Sequence, residues 1–500
     1  MPKLPEMMNR LTLCLILSCA ATVTARAEAP PNILFILTDD QGWATLGSYG
    51  NSLVPTPRLD RLAGEGMRFT DAYVMPQCTP TRAAFLTGQH TARNGMWHVI
   101  PWYGTPWAPV REPAFVESLP RESFTVAKGL KAAGYATACI GKWHLTDAAS
   151  GSYVALDAAA APAFGFDEAP VPPNGKYHQE GDKGVDWLTD RALEFIGRKK
   201  DSPWFVYLAH HTIHGPVVAR EEIVRKYRDR GAPETGLHNA SYLAAIETLD
   251  TGVGRLLDGL ADLGEAEDTL VVFLSDNGGV DVLYDAALFK DGDGRIERLQ
   301  VKERQFSNAP LRAGKGSPYE GGIRVPCLVR WPGQVAPGTV NRTPVHIIDW
   351  LPTLLDAAGT RVPDSWPVDG VSLVPLLRGG SLQARSLHWY LPFYDLRWGA
   401  TPCAVLREGD WKLIDYFGDS FDAEGRYEEG SRTELFDLGN DLGESRNLAG
   451  SEIERTVAMR QRLHDWMRSV PAEIPGQNPH HDPSRPLKET RDKPEWMESR

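Results

Sequence analysis

Four short apolar runs in this chain each break directly into a cluster of polar, reactive side chains. Asn32–Thr38 runs into Asp39-Asp40-Gln41-Gly42, and Tyr135–Ile140 into Gly141-Lys142-Trp143-His144. Trp204–Leu208 leads to His210-His211-Thr212-Ile213-His214, and Leu270–Leu274 to Ser275-Asp276-Asn277-Gly278-Gly279. Continuous apolar runs of this length read as strands buried on both faces. A fifth run is Ile323–Arg330, and helical segments alternate with the strands at Thr125–Ala133, Val185–Gly197, Tyr242–Leu263 and Ile348–Ala358. That alternation predicts an α/β fold, a large mixed, mostly parallel sheet sandwiched by helices. Ligands of open α/β sheets bind beyond the carboxyl ends of the strands. If the strands are parallel neighbours, the four polar clusters converge on one pocket.

From about Ser386 the texture changes. Short strands at Leu387–Leu391, Cys403–Arg407, Trp411–Phe417 and Thr433–Asp437 precede a helix near Glu452–Ser469. This predicts a smaller C-terminal α+β unit with an antiparallel sheet. The expected division is a leader over 1–27, a catalytic region over 28–380, the α+β unit over 381–475 and an extended or mobile polar tail over 476–500. The leader carries Lys3 and Arg10, an apolar stretch from Leu11 to Ala21, and a small-x-small cleavage site at Ala25-Arg26-Ala27. It reads as a secretory signal, too short for a span of about 20 residues. Export to the periplasm or medium follows, with no membrane span after cleavage. Cys78, Cys139, Cys327 and Cys403 remain in the mature chain, too few and too far apart for a disulfide framework or a thiolate zinc site.

Asp and Glu number 65 against 53 Lys and Arg, a net charge of −12, which argues against a nucleic-acid binder. An anionic small substrate remains open, because a local pocket can be basic inside an acidic protein. Asp39, Asp40, Asp276 and Asn277 offer only oxygen donors, the set preferred by Ca²⁺ or Mg²⁺ over zinc. One strand-end Asp pair is ordinarily a helix cap or a turn. Two such pairs, with like charges adjacent, point to a cation. Lys142, His144, His214, Arg82 and Lys315 add positive or proton-donating groups. Together they describe a site for a tetrahedral anion, a phosphate or sulfate ester.

The nucleophile candidate is Cys78, in Cys78-Thr79-Pro80-Thr81-Arg82 followed by Leu86-Thr87-Gly88. This segment resembles the signature of the formylglycine-dependent sulfatases of the alkaline phosphatase superfamily. The resemblance extends through Asp39-Asp40-x-Gly, Gly141-Lys142-Trp143-His144, Asp276-Asn277-Gly278-Gly279 and Gly314-Lys315-Gly316. It reaches Leu435-Phe436-Asp437-Leu438 near the C-terminus. It implies that a maturation enzyme oxidises Cys78 to formylglycine, an aldehyde that hydrates to a geminal diol. One hydroxyl would attack sulfur with help from one Ca²⁺ and Asp276, and the second would expel sulfate. The implied metal set is Asp39, Asp40, Asp276, Asn277 and the side chain at position 78. Arg82 would anchor the modified residue, Lys142 and Lys315 would clamp sulfate, His214 would protonate the leaving alcohol, and His144 would take a proton from the second hydroxyl. His214 is chosen because Gly215-Pro216 follows it, with His210 and His211 as second candidates. The expected substrate is a sulfated carbohydrate. Aromatic residues near the motifs (Trp97, Trp102, Tyr103, Trp107, Tyr390, Phe393, Tyr394, Trp398) are either sugar platforms or core. The alternative enzyme is a phosphomonoesterase or phosphodiesterase of the same superfamily. The segment Asp291-Gly292-Asp293-Gly294 has Arg295 where a ligand should follow, and reads as a plain turn.

Overall fold

The computed structural model describes residues 30–146, 155–172, 177–285, 298–422, 425–485, 487, 489–491 and 494. The leader and the Asp291–Asp293 segment lie outside them. The large sheet contains β1 (Asn32–Thr38), β2 (Met67–Tyr73), β3 (Ala136–Gly141), β4 (Trp204–Ala209) and β5 (Thr269–Ser275). A short hairpin follows, β6 (Val282–Tyr284) with β7 (Val301–Arg304). The large sheet then gains β8 (Arg324–Arg330), β9 (Thr339–Asn341) and β10 (Val345–His346).

Its order is β10-β2-β8-β5-β1-β4-β3, with β9 also on β2. β1 lies between β5 and β4, parallel to both, and β3 is parallel to β4. Every residue of β1, β4 and β5 is buried, as continuous apolar runs require. The register pairs Thr38 with Ser275 and Leu37 with Ala209, so three polar clusters start at the same level of the sheet. β8 runs antiparallel to its neighbours β5 and β2. Its amino end therefore lies at the carboxyl edge of the parallel strands. That reversal explains why the Lys315 motif comes before its strand, whereas the other clusters come after theirs.

The second sheet is antiparallel and contains β11 (Ser386–Leu391), β12 (Cys403–Glu408), β13 (Trp411–Tyr416) and β16 (Arg432–Asp437), and a separate two-stranded hairpin of β14 (Ser420–Phe421) with β15 (Tyr427–Glu428) falls between β13 and β16 in the chain. The sheet order is β11-β12-β13-β16, and helix Ile453–Ser469 packs on it. One apolar core runs across both sheets, joining Phe35 and Phe85 to Trp389 and Leu463. Buried ions also tie them together. Lys412 of β13 meets Glu320 at 3.0 Å and Glu444 at 2.7 Å. In the described part of the tail, Asn478 Nδ2 donates to the carbonyls of Pro106 (2.7 Å) and Ala108 (2.8 Å). The described cysteines, Cys78, Cys139, Cys327 and Cys403, are buried free thiols, and no described helix is long and apolar enough to cross a membrane.

Three histidines meet where the sheets join. His90 lies 5.5 Å from His346 and 6.1 Å from His388, ring centre to ring centre, and His388 stacks on Trp466 at 4.3 Å. Burial holds His90 down at about 4 and His388 at about 3, and His346 is well below its ordinary value. Neutral burial of a histidine stabilises the fold above about pH 6.5, and that contribution is lost as pH falls through the folded values. The unfolding temperature should therefore drop as pH is lowered from about 6.5 to 4. His388→Phe, which keeps a ring on Trp466, should flatten that slope in differential scanning calorimetry. An unchanged slope would exclude His388 as a contributor.

Candidate active site

The chain turns sharply at both edges of the site. Gly141 ends β3 at φ +103°, and a Cβ there would lie 2.0 Å from the Ala209 carbonyl oxygen. Only glycine lets β3 close on β4, so that the Lys142 amide donates to that same carbonyl at 2.8 Å. Gly278 approaches Gly321 so closely that a Cβ would lie 1.7 Å from its carbonyl oxygen. This contact draws the segment carrying Lys315 onto the end of β5. Cys78 opens the fully buried helix Cys78–Thr87, whose free first-turn amides favour negative charge at that position.

The strand ends do converge. Ligand atoms of Asp39, Asp40, Cys78 and His214 all lie within 4.8 Å of one another. Lys142 Nζ reaches Asp39 Oδ2 at 2.5 Å, and Lys315 Nζ reaches Asp40 Oδ1 at 2.7 Å. The Cys78 thiol donates to Asp39 at 3.3 Å, with Lys315 Nζ 3.6 Å from its sulfur. Arg82 forks onto Asp276 Oδ2 through Nε (3.0 Å) and Nη2 (2.6 Å), and its Nη1 donates to the Lys142 carbonyl and the Tyr207 hydroxyl. The other Asp276 oxygen accepts the Asp40 amide at 3.3 Å. Asn277 Nδ2 donates to Asp40 Oδ1 at 2.8 Å.

Three buried carboxylates thus face three buried cations. Burial alone would raise Asp39, but Lys142, His214, Arg82 and Lys315 outweigh it and hold the carboxyl well below its usual range. Burial and the neighbouring Asp39 push Asp276 up. Burial would lower Lys315, yet Asp40 keeps it above its ordinary value. Burial, with Asp276 and Asp39 beside it, raises the Cys78 thiol, so the unmodified side chain is a poor nucleophile.

The residues fit a hard cation. Asp39, Asp40, Asp276 and Asn277 supply oxygen donors only, and Asn277 Oδ1 is buried with no hydrogen-bond partner among the described residues. With acids and bases already balanced, a divalent cation leaves the pocket about two charges positive, the condition for binding an anionic ester. His214 joins the cluster, although the sequence offered it only as an acid. Its Nε2 lies 4.0 Å from Asp40, its side chain is 40% exposed, and burial with Lys315 lowers it. His211 is not part of that cluster and shares a 2.8 Å hydrogen bond with the Tyr177 hydroxyl. His210 is buried and lowered to about 4. His144 Nε2 donates to the Ile100 carbonyl at 2.8 Å, which leaves Nδ1 as its basic nitrogen.

A family model described as Sulfatase matches residues 31–360, and one described as N-sulphoglucosamine sulphohydrolase, C-terminal, matches 314–471. The chain belongs to the sulfatase family. It is 30% identical to human arylsulfatase A, over 90% of this chain and 89% of that one. It is 32% identical to the N-acetylgalactosamine-6-sulfatase of Canis lupus familiaris, over 76% and 72%. A "Sulfatase" of Formosa agariphila is 30% identical over 88% and 89%. Among solved structures, Ps i-CgsB in complex with k-i-k-neocarrahexaose superposes with a TM-score of 0.67 at 25% identity, covering 90% of this chain and 94% of that one.

This sulfatase has site partners that its sequence did not disclose. Tyr207 looked like an ordinary strand aromatic yet supports Arg82, and the Tyr242 hydroxyl donates to the Asp40 carbonyl at 3.3 Å. Of the aromatics suspected as sugar platforms, Trp97, Trp102, Tyr390, Phe393 and Tyr394 are core. Trp398 is half-buried with Lys315 Nζ 5.4 Å from its ring centre, so it borders the pocket. Arg82→Ala should strand the Asp276 carboxylate in a dry site and cost about 3–5 kcal/mol of stability. Urea unfolding measures this, and a midpoint equal to wild type would show that the pair is not structural.

Proposed function

We propose that this sulfatase removes O-sulfate groups from a sulfated carbohydrate outside the cytoplasm, using a formylglycine made from Cys78 and one Ca²⁺. The observation that carries the reading is the meeting of Lys142 and Lys315 with Asp39, Asp40, Cys78 and His214 at one point. The carbohydrate class is supported by the N-acetylgalactosamine-6-sulfatase relative and by the neocarrahexaose complex of Ps i-CgsB. Export is supported by the charged, apolar and small-x-small order of residues 1–27. A maturation enzyme acting on the Cys78 segment is the implied partner.

Asp39, Asp40, Asp276 and Asn277 would hold the cation, which lowers the charge on sulfate and acidifies an oxygen beside it. The formylglycine side chain would supply a hydroxyl to attack sulfur and a second hydroxyl for release of sulfate. The chain's own residues do the rest. Arg82 fixes the Asp276 carboxylate. Lys142 and Lys315 hold sulfate oxygens and stabilise their growing charge in a water-poor pocket. His144, with Nδ1 basic, accepts a proton at position 78. His214 stands on the open side of the cluster and donates a proton to the departing alcohol; the anionic ester beside it favours the protonated form.

A sugar alkoxide needs that proton, whereas a nitrophenolate leaves without it. His214→Ala should therefore lower kcat/KM for sugar sulfates about 10²–10⁴-fold and for 4-nitrophenyl sulfate far less. Chelation should abolish both reactions and Ca²⁺ should restore them. An unchanged sugar-to-aryl ratio in His214→Ala, with collapse in His211→Ala, would move the acid to His211. Turnover that survives chelation would remove the metal from the account.

A further inference from the structure

Four lysines are buried among the described residues: Lys142, Lys183, Lys315 and Lys412. Three of them meet carboxylates, Lys142 on Asp39, Lys315 on Asp40, and Lys412 on Glu320 and Glu444. Lys183 meets none. Its side chain is as well buried as theirs, 2% exposed, yet Nζ makes a single hydrogen bond, 2.8 Å to the Pro216 carbonyl. Two of its three ammonium hydrogens have no acceptor among the described residues. A buried ammonium with no carboxylate at hydrogen-bonding distance opposes folding, so its retention calls for another reason.

The local chain is built to keep it there. Lys183 sits in the left-handed region at φ +59°, which is uncommon for a residue with a side chain. Asp182 locks the turn by accepting the amides of Gly184 (3.0 Å) and Asp186 (2.8 Å) at the start of helix Val185–Lys199. The ammonium acts electrostatically on the site, with Asp39, Lys142 and Asp40 as its charged neighbours. Burial, against the pull of Asp39, brings it down to about 8. His178 feels both Lys183 and Lys142, and its ring lies 5.0 Å from that of His211. The carbonyl that Lys183 holds is two residues beyond His214. Lys183 thus joins the loop that carries His214, through the Pro216 carbonyl, to the charged groups around Asp39, Lys142 and Asp40.

We infer that Lys183 is a specificity-determining residue that receives a second anionic group of the substrate, a carboxylate or a further sulfate within about one sugar ring of the scissile sulfate. This rests on the carbohydrate reading above and narrows it to polyanionic sugars. The ligand's anion completes the ion pair that the protein leaves open, so its binding gains from an ammonium that is already desolvated and fixed in place.

The test is kcat/KM over monosulfated hexoses and hexosamines, each beside its disulfated or uronate-linked counterpart, with 4-nitrophenyl sulfate as the sulfatase control. Wild type should favour the best dianionic sugar at least tenfold over its monoanionic counterpart. Lys183→Met should shrink that preference at least tenfold, chiefly through KM, and Lys183→Arg should retain part of it. A wild type that prefers monoanionic sugars overturns the inference without need of any variant. Equal loss on both classes in Lys183→Met would also overturn it, making the lysine a brace for the His214 loop. Turnover of 4-nitrophenyl sulfate with none of any sugar would instead sink the carbohydrate reading while leaving the sulfatase intact.

Discussion

Neither the acids nor the bases at the carboxyl edge of the large sheet could be buried alone. Asp39, Asp40 and Asp276 are each almost wholly shielded from water, as are Arg82, Lys142 and Lys315. Their burial is tolerable because each charge has a partner at hydrogen-bonding distance. The rest of the architecture serves that arrangement. Parallel strands bring β1, β3, β4 and β5 to one level, and reversed β8 brings the Lys315 segment back to it. The helix beginning at Cys78 then fills the middle of the pocket. The protein's own charges are thus already desolvated before a cation or an anionic ester binds, so binding adds the ligand's charge without burying further protein charges.

Strain collects at the same edge. Asp40, His144 and Lys183 all take positive φ, and the first two are at φ +59° and +58°. Each is held by bonds to a neighbouring segment: the Asp40 amide to Asp276, the His144 ring to Ile100, the Lys183 ammonium to Pro216. Unfavourable backbone maintained by several independent contacts is typical of positions fixed for chemistry rather than for stability.

Much of this was legible in the sequence, for a physical reason. Buried parallel strands are continuous apolar runs, so β1 was readable to the residue and β4 and β5 to within one. The helix at Ala240–Asp262 was legible through its periodicity, although Asn239 caps it two residues earlier than expected. β2 was not legible. Its sequence MRFTDAY mixes charges into a strand, and the partners that neutralise Asp71, Arg324 and Arg407, come from distant segments. Among the three histidines after β4, composition could not choose; the turn at Thr212–Gly215 brings His214, and not His211, to Asp40. Lys183 and Tyr177 carried no signal, because their segment has no periodicity and the bonds that bring their side chains to the site, to Pro216 and His211, come from elsewhere in the chain.

The central claim is that position 78, crowded by Asp39 and Lys315, works as an aldehyde rather than a thiol. The direct measurement is the mass of the tryptic peptide ending at Arg82, taken from protein that turns over sulfate esters. The account predicts a peptide roughly 18 Da lighter than the thiol form, the change expected for oxidation of cysteine to formylglycine. A fully active preparation in which that peptide retains an unmodified cysteine would contradict it.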